Sequence, residues 1–121
     1  MKKILIVDDQ YGIRVLLNEV LKKDGFEIFQ SANGERALEL VEEENPDLML
    51  LDIRIPGMDG LEIMKEMKKR GTDTGVKIIL MTAFGEEQMM LEAKELGITD
   101  HCAKPFDIST IREKVKFHLD P

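Results

Sequence analysis

The sequence alternates between two kinds of segment, and this alternation limits the folds that the chain can adopt. Short, continuous apolar runs are typical of strands that are buried on both faces of a parallel sheet. Five candidates occur, at residues 4–7, 27–32, 48–51, 76–81 and 100–103. Between the runs and after the last one, apolar residues recur three and four positions apart, which indicates amphipathic helices. The helical stripes are Ile13, Leu16, Leu17, Val20 and Leu21; Ala37, Leu38 and Val41; Leu61, Met64 and Met67; Met90, Ala93 and Leu96; and Ile108, Ile111 and Val115.

Strands that alternate with helices predict an α/β fold, because each helix can cross over to the next parallel strand. Five such units give a doubly wound, flavodoxin-like (βα)5 architecture with a five-stranded parallel sheet. We expect the strand order 2-1-3-4-5, which is common in this class. The 121 residues suit one domain spanning residues 1–121, with no effector domain.

The charge balance limits the kinds of partner. The formal net charge is −7, which disfavours nucleic acid, because nucleic-acid-binding proteins usually carry a basic surface. No apolar run approaches the ~20 residues that would cross a bilayer, and no secretory leader opens the chain. The single cysteine, Cys102, cannot form an internal disulfide. We therefore expect a cytoplasmic protein that meets other proteins, with neither nucleic acid nor membrane as a partner.

Three carboxylates are predicted to meet at one edge of the sheet. Asp8 and Asp9 follow the first strand and Asp52 ends the third, and ligand sites of open parallel sheets lie at the carboxyl ends of the strands. Carboxylates at close range repel one another unless a cation neutralises them. Oxygen ligands with no nearby His or Cys favour a hard ion, and a partly hydrated Mg²⁺ fits best.

Two further polar residues follow the fourth and fifth strands. Thr82 offers a hydroxyl group, and Lys104 offers an ammonium group ahead of Pro105. A metal ion, a hydroxyl and an ammonium group around a carboxylate are suited to stabilising a transferring phosphoryl group. A carboxylate can itself be the nucleophile and form an aspartyl phosphate.

Each of these residues, taken alone, has an ordinary structural explanation. Asp8 and Asp9 could be solvated turn residues, and Lys104 could be a surface lysine. Thr82 could be the N-cap of a helix ahead of Glu86, or a strand residue favoured for its β-branched side chain. Only the complete set, in this order along the chain, indicates phosphoryl chemistry.

Four separated motifs, in this order, resemble the receiver domains of bacterial two-component response regulators. The motifs are Asp8-Asp9; Leu50-Leu51-Asp52 followed by Pro56-Gly57-Met58-Asp59-Gly60; Met81-Thr82-Ala83; and Ala103-Lys104-Pro105-Phe106. The resemblance covers essentially the whole chain. Within the family, residues 9–14 and 104–108 look closest to single-domain regulators of sporulation relays.

The resemblance implies a phosphoryl-acceptor site with a bound metal ion. Asp52 would be the phosphoacceptor and a metal ligand, and Asp9 would bind Mg²⁺ directly, with Mn²⁺ as an alternative ion. Asp8 would act mainly through a metal-bound water molecule. The backbone carbonyl of Arg54 would be a further ligand.

The same resemblance assigns the groups around the phosphoryl oxygens. Thr82 would donate a hydrogen bond to one oxygen, and Lys104 would pair with another. The Lys104–Pro105 peptide bond would be cis, an isomer that is less costly before proline than before other residues. Phe84 would occupy an aromatic switch position and move together with Thr82 on phosphorylation. His101, shortly before Lys104, is a candidate for a regulatory role, because histidine as a residue type can change charge at physiological pH, although an isolated histidine on a strand is more often packed or solvated.

One rim of the site is expected to meet partner proteins. Helical periodicity places Tyr11 and Val15 off the apolar stripe of the first helix, so both are expected to be exposed. The family resemblance instead implies a surface that docks a four-helix bundle, and the two approaches agree only on Tyr11. The implied residues are Gln10, Tyr11, Gly12, Ile13 and Leu16, with Pro105, Phe106 and Ile108 opposite.

These features predict an intermediate phosphoryl carrier of a phosphorelay, and the resemblance implies sporulation initiation as the process. A sensor histidine kinase would phosphorylate Asp52 and a histidine phosphotransferase would receive the group; an aspartyl-phosphate phosphatase is a further implied partner. The chain would be an enzyme only in a limited sense, through transfer onto itself and hydrolysis of its own acyl phosphate.

Three other functions would use parts of the same pattern. The main alternative is a receiver that regulates a target directly, by phosphorylation-dependent binding through a face around Phe84. A hydrolase of the haloacid-dehalogenase type is disfavoured, because that family has a second Asp two residues after its nucleophile, where Arg54 stands here. A flavodoxin-like nucleotide-binding protein is disfavoured because no Gly-rich phosphate loop follows any predicted strand.

Overall fold

Five parallel strands form one sheet in the order β2-β1-β3-β4-β5, which confirms the predicted α/β fold. The structure is a computed structural model that describes residues 1–120. The strands are β1 (Lys3–Val7), β2 (Glu27–Ser31), β3 (Leu48–Asp52), β4 (Lys77–Thr82) and β5 (Asp100–Ala103). The helices are α1 (Tyr11–Lys23), α2 (Gly34–Glu44), α3 (Gly60–Arg70), α4 (Glu87–Leu96) and α5 (Ile108–Leu119). None of the helices in this part of the chain is long and apolar enough to span a bilayer.

Alternate residues of each central strand pack on opposite faces of the sheet, as the two-residue repeat of a strand requires. Leu5 and Val7 of β1 belong to a core shared with α2, α3 and α4. Ile4 and Ile6 belong to a second core shared with α1 and α5. Helices therefore cover both faces, which explains why the central strands are continuous apolar runs rather than alternating ones.

The structure differs from the predicted pattern in α1. Leu17 and Leu21 are buried in the core as expected, but Leu16 is 46% exposed, so it lies beside the buried stripe rather than in it. Val15, expected to be exposed, is half-buried. Periodicity gives the direction of the apolar face of a helix but not its width. The predicted edge of the buried face of α1 is therefore wrong by one residue, at Val15 and Leu16.

The end of β4 decides between the two structural explanations of Thr82. Thr82 is the last residue of the strand, and the N-cap of α4 is Glu86. The helix-cap explanation of Thr82 is therefore wrong. The start of β4 also differs by one residue, because the strand begins at Lys77 rather than at residue 76.

The loop after β3 approaches the strand end closely. The backbone N–H of Gly60 donates a hydrogen bond of 2.8 Å to the carbonyl oxygen of Ile53. A Cβ atom at Gly60 would lie 2.9 Å from the carbonyl oxygen of Asp52, so no larger residue fits without movement. Asp59 caps α3 in a reciprocal capping box with Glu62. Glycine and the cap together fix the path of the loop that leaves Asp52.

Candidate functional site

The ends of β1 and β3 bring three carboxylates together at the carboxyl edge of the sheet. Val7 pairs in register with Leu51, which places Asp8 beside Asp52. Carboxylate oxygens of Asp8, Asp9 and Asp52 all lie within 4.8 Å of one another. We call these three residues the acidic cluster. Asp8 and Asp52 are buried, whereas Asp9 is exposed, so the cluster is open to solvent on one side.

Lys104 is the cation that contacts the acidic cluster. Its Nζ atom lies 2.8 Å from Oδ2 of Asp8 and 3.1 Å from Oδ2 of Asp52, and a weaker contact of 3.4 Å joins it to Oε1 of Gln10. The Lys104 backbone N–H also donates to the carbonyl oxygen of Thr82, at 2.6 Å, which ties the loop after β5 to the end of β4. The Lys104–Pro105 peptide bond is cis.

The negative charge of the acidic cluster is only partly neutralised by Lys104. Burial raises the pKa of Asp52; the Lys104 ammonium group lowers it, and the Asp8 charge raises it further, so that the net change is upward. Burial lowers the pKa of Lys104, but the hydrogen bond to Asp8 and the charges of both carboxylates raise it overall. Lys104 contacts two of the three carboxylates, so its single ammonium charge leaves the acidic cluster with excess negative charge.

The donor atoms of the acidic cluster suit a hard divalent cation. All three side chains offer carboxylate oxygens, which are the ligands that Mg²⁺ prefers in proteins. Two of these carboxylates are held by backbone hydrogen bonds: Gln10 N–H donates to Oδ1 of Asp8 at 2.8 Å, and Arg54 N–H donates to Oδ1 of Asp52 at 3.2 Å. The residues present therefore fit a Mg²⁺ ion, because they combine excess negative charge with fixed oxygen donors.

A cleft of about 580 Å³ lies beside the end of β4 and extends to Lys104. Thr82, Phe84, Glu86, Met90 and His101 are among the residues that line it. Thr82 is buried, whereas the Phe84 side chain is 99% exposed. Joint movement of Thr82 and Phe84, and a regulatory role for the exposed His101, stay predictions.

The two segments of the expected docking rim lie close to each other at the carboxyl edge. Ile13 of α1 packs against the same core as Phe106 and Ile108. Tyr11 and Leu16 expose much of their apolar surface. Gln10, Gly12 and Pro105 are also exposed. The outward position of Leu16, which periodicity alone placed in the core, fits the docking set that the family resemblance implies.

Sequence reasoning missed one buried carboxylate beside the site. The Glu86 side chain is 8% exposed and accepts a hydrogen bond of 2.6 Å from the Ala83 N–H. Its other oxygen lies 3.1 Å from Nε of Arg54. No local pattern predicts this arrangement, because Glu86 precedes a helix where an exposed acidic residue is equally common.

Comparisons with known proteins agree with this geometry. Residues 4–116 match the response regulator receiver domain family. The chain is 59% identical over 118 residues to sporulation initiation phosphotransferase F of Bacillus subtilis (strain 168), covering 98% of this chain and 94% of that protein. It is 38% identical to the chemotaxis protein CheY of the same organism, covering 98% of both chains. The crystal structure of the response regulator TrrA of Thermotoga maritima, in complex with Mg²⁺ and BeF, is 41% identical, has a TM-score of 0.83 and covers 98% of this chain and 100% of that chain.

Proposed function

The chain belongs to the response regulator receiver domain family, and from this premise we propose that it is a phosphorelay carrier that accepts a phosphoryl group on Asp52 and passes it on. The observation that carries the proposal is the buried, incompletely compensated carboxylate of Asp52, 3.1 Å from the Lys104 ammonium group. The 59% identity to sporulation initiation phosphotransferase F supports a relay role, with sporulation as the process.

The chemistry is a transfer between nitrogen and oxygen. A carboxylate oxygen of Asp52 attacks the phosphorus of a phosphohistidine on the donor, a P–O bond forms, and the P–N bond breaks as the imidazole leaves. Transfer to a partner histidine reverses these changes. The same acyl phosphate is lost to water when the P–O bond is hydrolysed, which returns the Asp52 carboxylate.

The residues around Asp52 stabilise the charge of the phosphoryl group. Lys104 pairs with one phosphoryl oxygen, and this requires it to release one of its carboxylate contacts. The Thr82 hydroxyl group donates to a second oxygen from the end of β4. Groups that are already placed by the fold stabilise the transition state without a large reorganisation cost.

The acidic cluster is the proposed Mg²⁺ site, as the complex of TrrA with Mg²⁺ and BeF suggests for a relative. Asp9 and Asp52 would bind the ion directly, with the carbonyl of Arg54 as a further ligand and Asp8 acting mainly through water. When bound, Mg²⁺ neutralises negative charge that would otherwise oppose the approach of a phosphoryl group. Mn²⁺ prefers similar ligands and is an alternative.

The partners that this function requires are a sensor histidine kinase as donor and a histidine phosphotransferase as recipient. We assign the docking surface to the rim formed by the start of α1 and the loop after β5. Both segments border Lys104, and Tyr11, Leu16 and Pro105 are exposed there. An aspartyl-phosphate phosphatase would need the same access to Asp52.

Transfer with a labelled donor tests the proposal. A radiolabelled phosphohistidine donor is incubated with the chain and Mg²⁺, and a histidine phosphotransferase is then added. We expect label on the wild type, none on Asp52→Asn, and onward movement of the label to the phosphotransferase. Label that stays on the chain would favour direct regulation of a target instead, and an unlabelled wild type would contradict the receiver function.

A further inference from the structure

Glu86 is a buried acidic residue that lies outside the acidic cluster. Within residues 1–120, the buried acidic residues are Asp8, Asp52 and Glu86. The proposed function uses the first two and gives Glu86 no role. A buried carboxylate is costly unless it is paired, so its partners indicate what it does.

Both partners of Glu86 are neighbours of groups that the proposed function places on the phosphoryl group. Ala83, whose N–H donates to Oε1 of Glu86 at 2.6 Å, directly follows Thr82. Arg54, whose Nε lies 3.1 Å from Oε2, also donates its backbone N–H to Asp52. One carboxylate thus engages a backbone donor from the loop after β4 and a cation from the loop after β3.

Resting on the proposed function, we propose that Glu86 is a positioning residue that competes with the phosphoryl group on Asp52 for the Ala83 N–H and the Arg54 guanidinium group. A phosphoryl group adds about two negative charges and three acceptor oxygens. It therefore attracts the same donor and the same cation that Glu86 holds. The carboxylate of Glu86 favours the unphosphorylated state, since its own charge also repels the incoming group.

The competition connects the acceptor site to α4. Glu86 is the N-cap residue of this helix. Its hydrogen bond to the Ala83 N–H closes a short loop that contains Phe84. When Glu86 loses the Ala83 N–H, this loop and the first turn of α4 lose a fixed hydrogen bond. The state of Asp52 then changes the cleft beside Phe84 without a partner protein.

The substitution Glu86→Gln tests this proposal, because it removes the charge and keeps the shape and one acceptor atom. Glu87→Gln is the matched control, since it makes the same charge change at the adjacent, exposed residue. Phosphoramidate is used as the phosphoryl donor with Mg²⁺, because a small donor does not use the docking rim. We expect the phosphorylated fraction at steady state, relative to the unphosphorylated one, to rise at least about fivefold in Glu86→Gln.

A double-mutant cycle separates competition from a purely structural effect. Arg54→Gln is measured alone and together with Glu86→Gln, and we expect the effects on the lifetime of the acyl phosphate to be non-additive. The Ala83 amide proton resonance is recorded with and without Mg²⁺ and BeF, and it should move on loading in the wild type and in Glu87→Gln, and less in Glu86→Gln.

The outcomes are distinguishable. Phosphorylated fractions in both Glu86→Gln and Glu86→Ala that equal the fraction in Glu87→Gln, or additive effects with Arg54→Gln, would overturn the competition while leaving the proposed function intact. A wild type that accepts no phosphoryl group from either phosphoramidate or a phosphohistidine donor would instead contradict the proposed function itself. A Glu86→Ala variant gives the same comparison without an acceptor atom, should the glutamine amide bind the Ala83 N–H unchanged.

Discussion

Asp52 and Asp24 have similarly small exposed fractions of their side chains, 9% and 6%, but their surroundings differ in charge. Asp24, at the end of α1, faces two cations of α5: Arg112 binds it through two nitrogen atoms, at 2.8 and 2.6 Å, and Lys116 lies 3.8 Å away. We call these three residues the α1–α5 ion cluster. Asp52 shares one ammonium group with Asp8 and lies beside Asp9 as well.

The different surroundings of Asp24 and Asp52 show how an aspartate can join two helices at one position and take part in chemistry at another. The Arg112 hydrogen bond lowers the pKa of Asp24, so that this carboxylate is charged, satisfied and suited to holding two helices together. Burial raises the pKa of Asp52, so that its charge is incompletely compensated. Excess negative charge at the carboxyl edge of the sheet provides a place for a metal ion, and a bidentate pair does not.

Replacing Lys104 or Arg112 by an uncharged side chain should give the largest difference in effect between the acidic cluster and the α1–α5 ion cluster. We expect Lys104→Met to slow phosphoryl acceptance on Asp52 by about 10²-fold or more, because a group that stabilises transferred charge is lost. Arg112→Met should keep the wild-type rate and lower the midpoint of thermal unfolding. Rates from phosphoramidate and unfolding curves measured on both variants check this; equal slowing in both would mean that Arg112 also serves the chemistry.

Magnesium should stabilise the protein through the acidic cluster and not through the α1–α5 ion cluster. At about a hundred times its Kd, Mg²⁺ is expected to raise the free energy of unfolding by about 2.7 kcal/mol, because it binds the folded chain alone. Asp9→Asn should lose most of this increment, whereas Asp24→Asn should keep it from a lower starting stability. Urea titrations with Mg²⁺ and with a chelator give the increments. An increment that Asp9→Asn retains in full would place the ion elsewhere.

The smallest effects are in the pH dependence of the magnesium-free protein. Because the pKa of Asp24 is lowered on folding, its contribution to stability is present above the unfolded value near 3.9 and is lost as the pH falls through the folded value. Because burial raises the pKa of Asp52, this carboxylate costs stability that develops as the pH rises above the unfolded value and is complete above the folded value. Asp24→Asn should therefore destabilise the protein at pH 7, and Asp52→Asn should stabilise it.

The Asp52 difference should shrink as the pH falls from 7 towards 4, since the raised pKa lets the folded carboxylate take up a proton in this range, whereas the Asp24 difference should persist to about pH 4 and shrink only below it. Urea unfolding of the wild type and the two variants between pH 7 and pH 3 measures both differences. Effects of the same sign at pH 7 would show that Asp52 is compensated as fully as Asp24.

Most of the fold follows from the sequence because its signals are local. β1 and β3 are continuous apolar runs, and all four residues 4–7 are fully buried. The edge strands β2 and β5 are less apolar and were still placed within one residue of their ends. The burial of Leu16 was predicted wrongly, because the width of the buried face depends on how closely α1 packs on the sheet, which its own sequence does not contain.

The contacts of the site likewise fall into those that the sequence predicts and those that it does not. Asp8, Asp9, Asp52, Thr82 and Lys104 could be brought together from the sequence, because parallel strands place their carboxyl ends at one edge. The contacts of Glu86 and the α1–α5 ion cluster could not. The Asp24–Arg112 pair joins residues 88 apart in sequence, and such pairs depend on how helices and loops settle against each other rather than on any spacing along the chain.

The most direct test of the account is the chemical identity of the phosphorylated residue. Phosphorylated protein, prepared from a phosphohistidine donor with Mg²⁺, is reduced with borohydride, which converts an aspartyl phosphate to homoserine, and peptides are then mapped by mass spectrometry. We predict homoserine at position 52 in the wild type and at no position in Asp52→Asn. Homoserine at position 8 or 9, or label on a residue other than aspartate, would contradict the assignment of Asp52 as the acceptor.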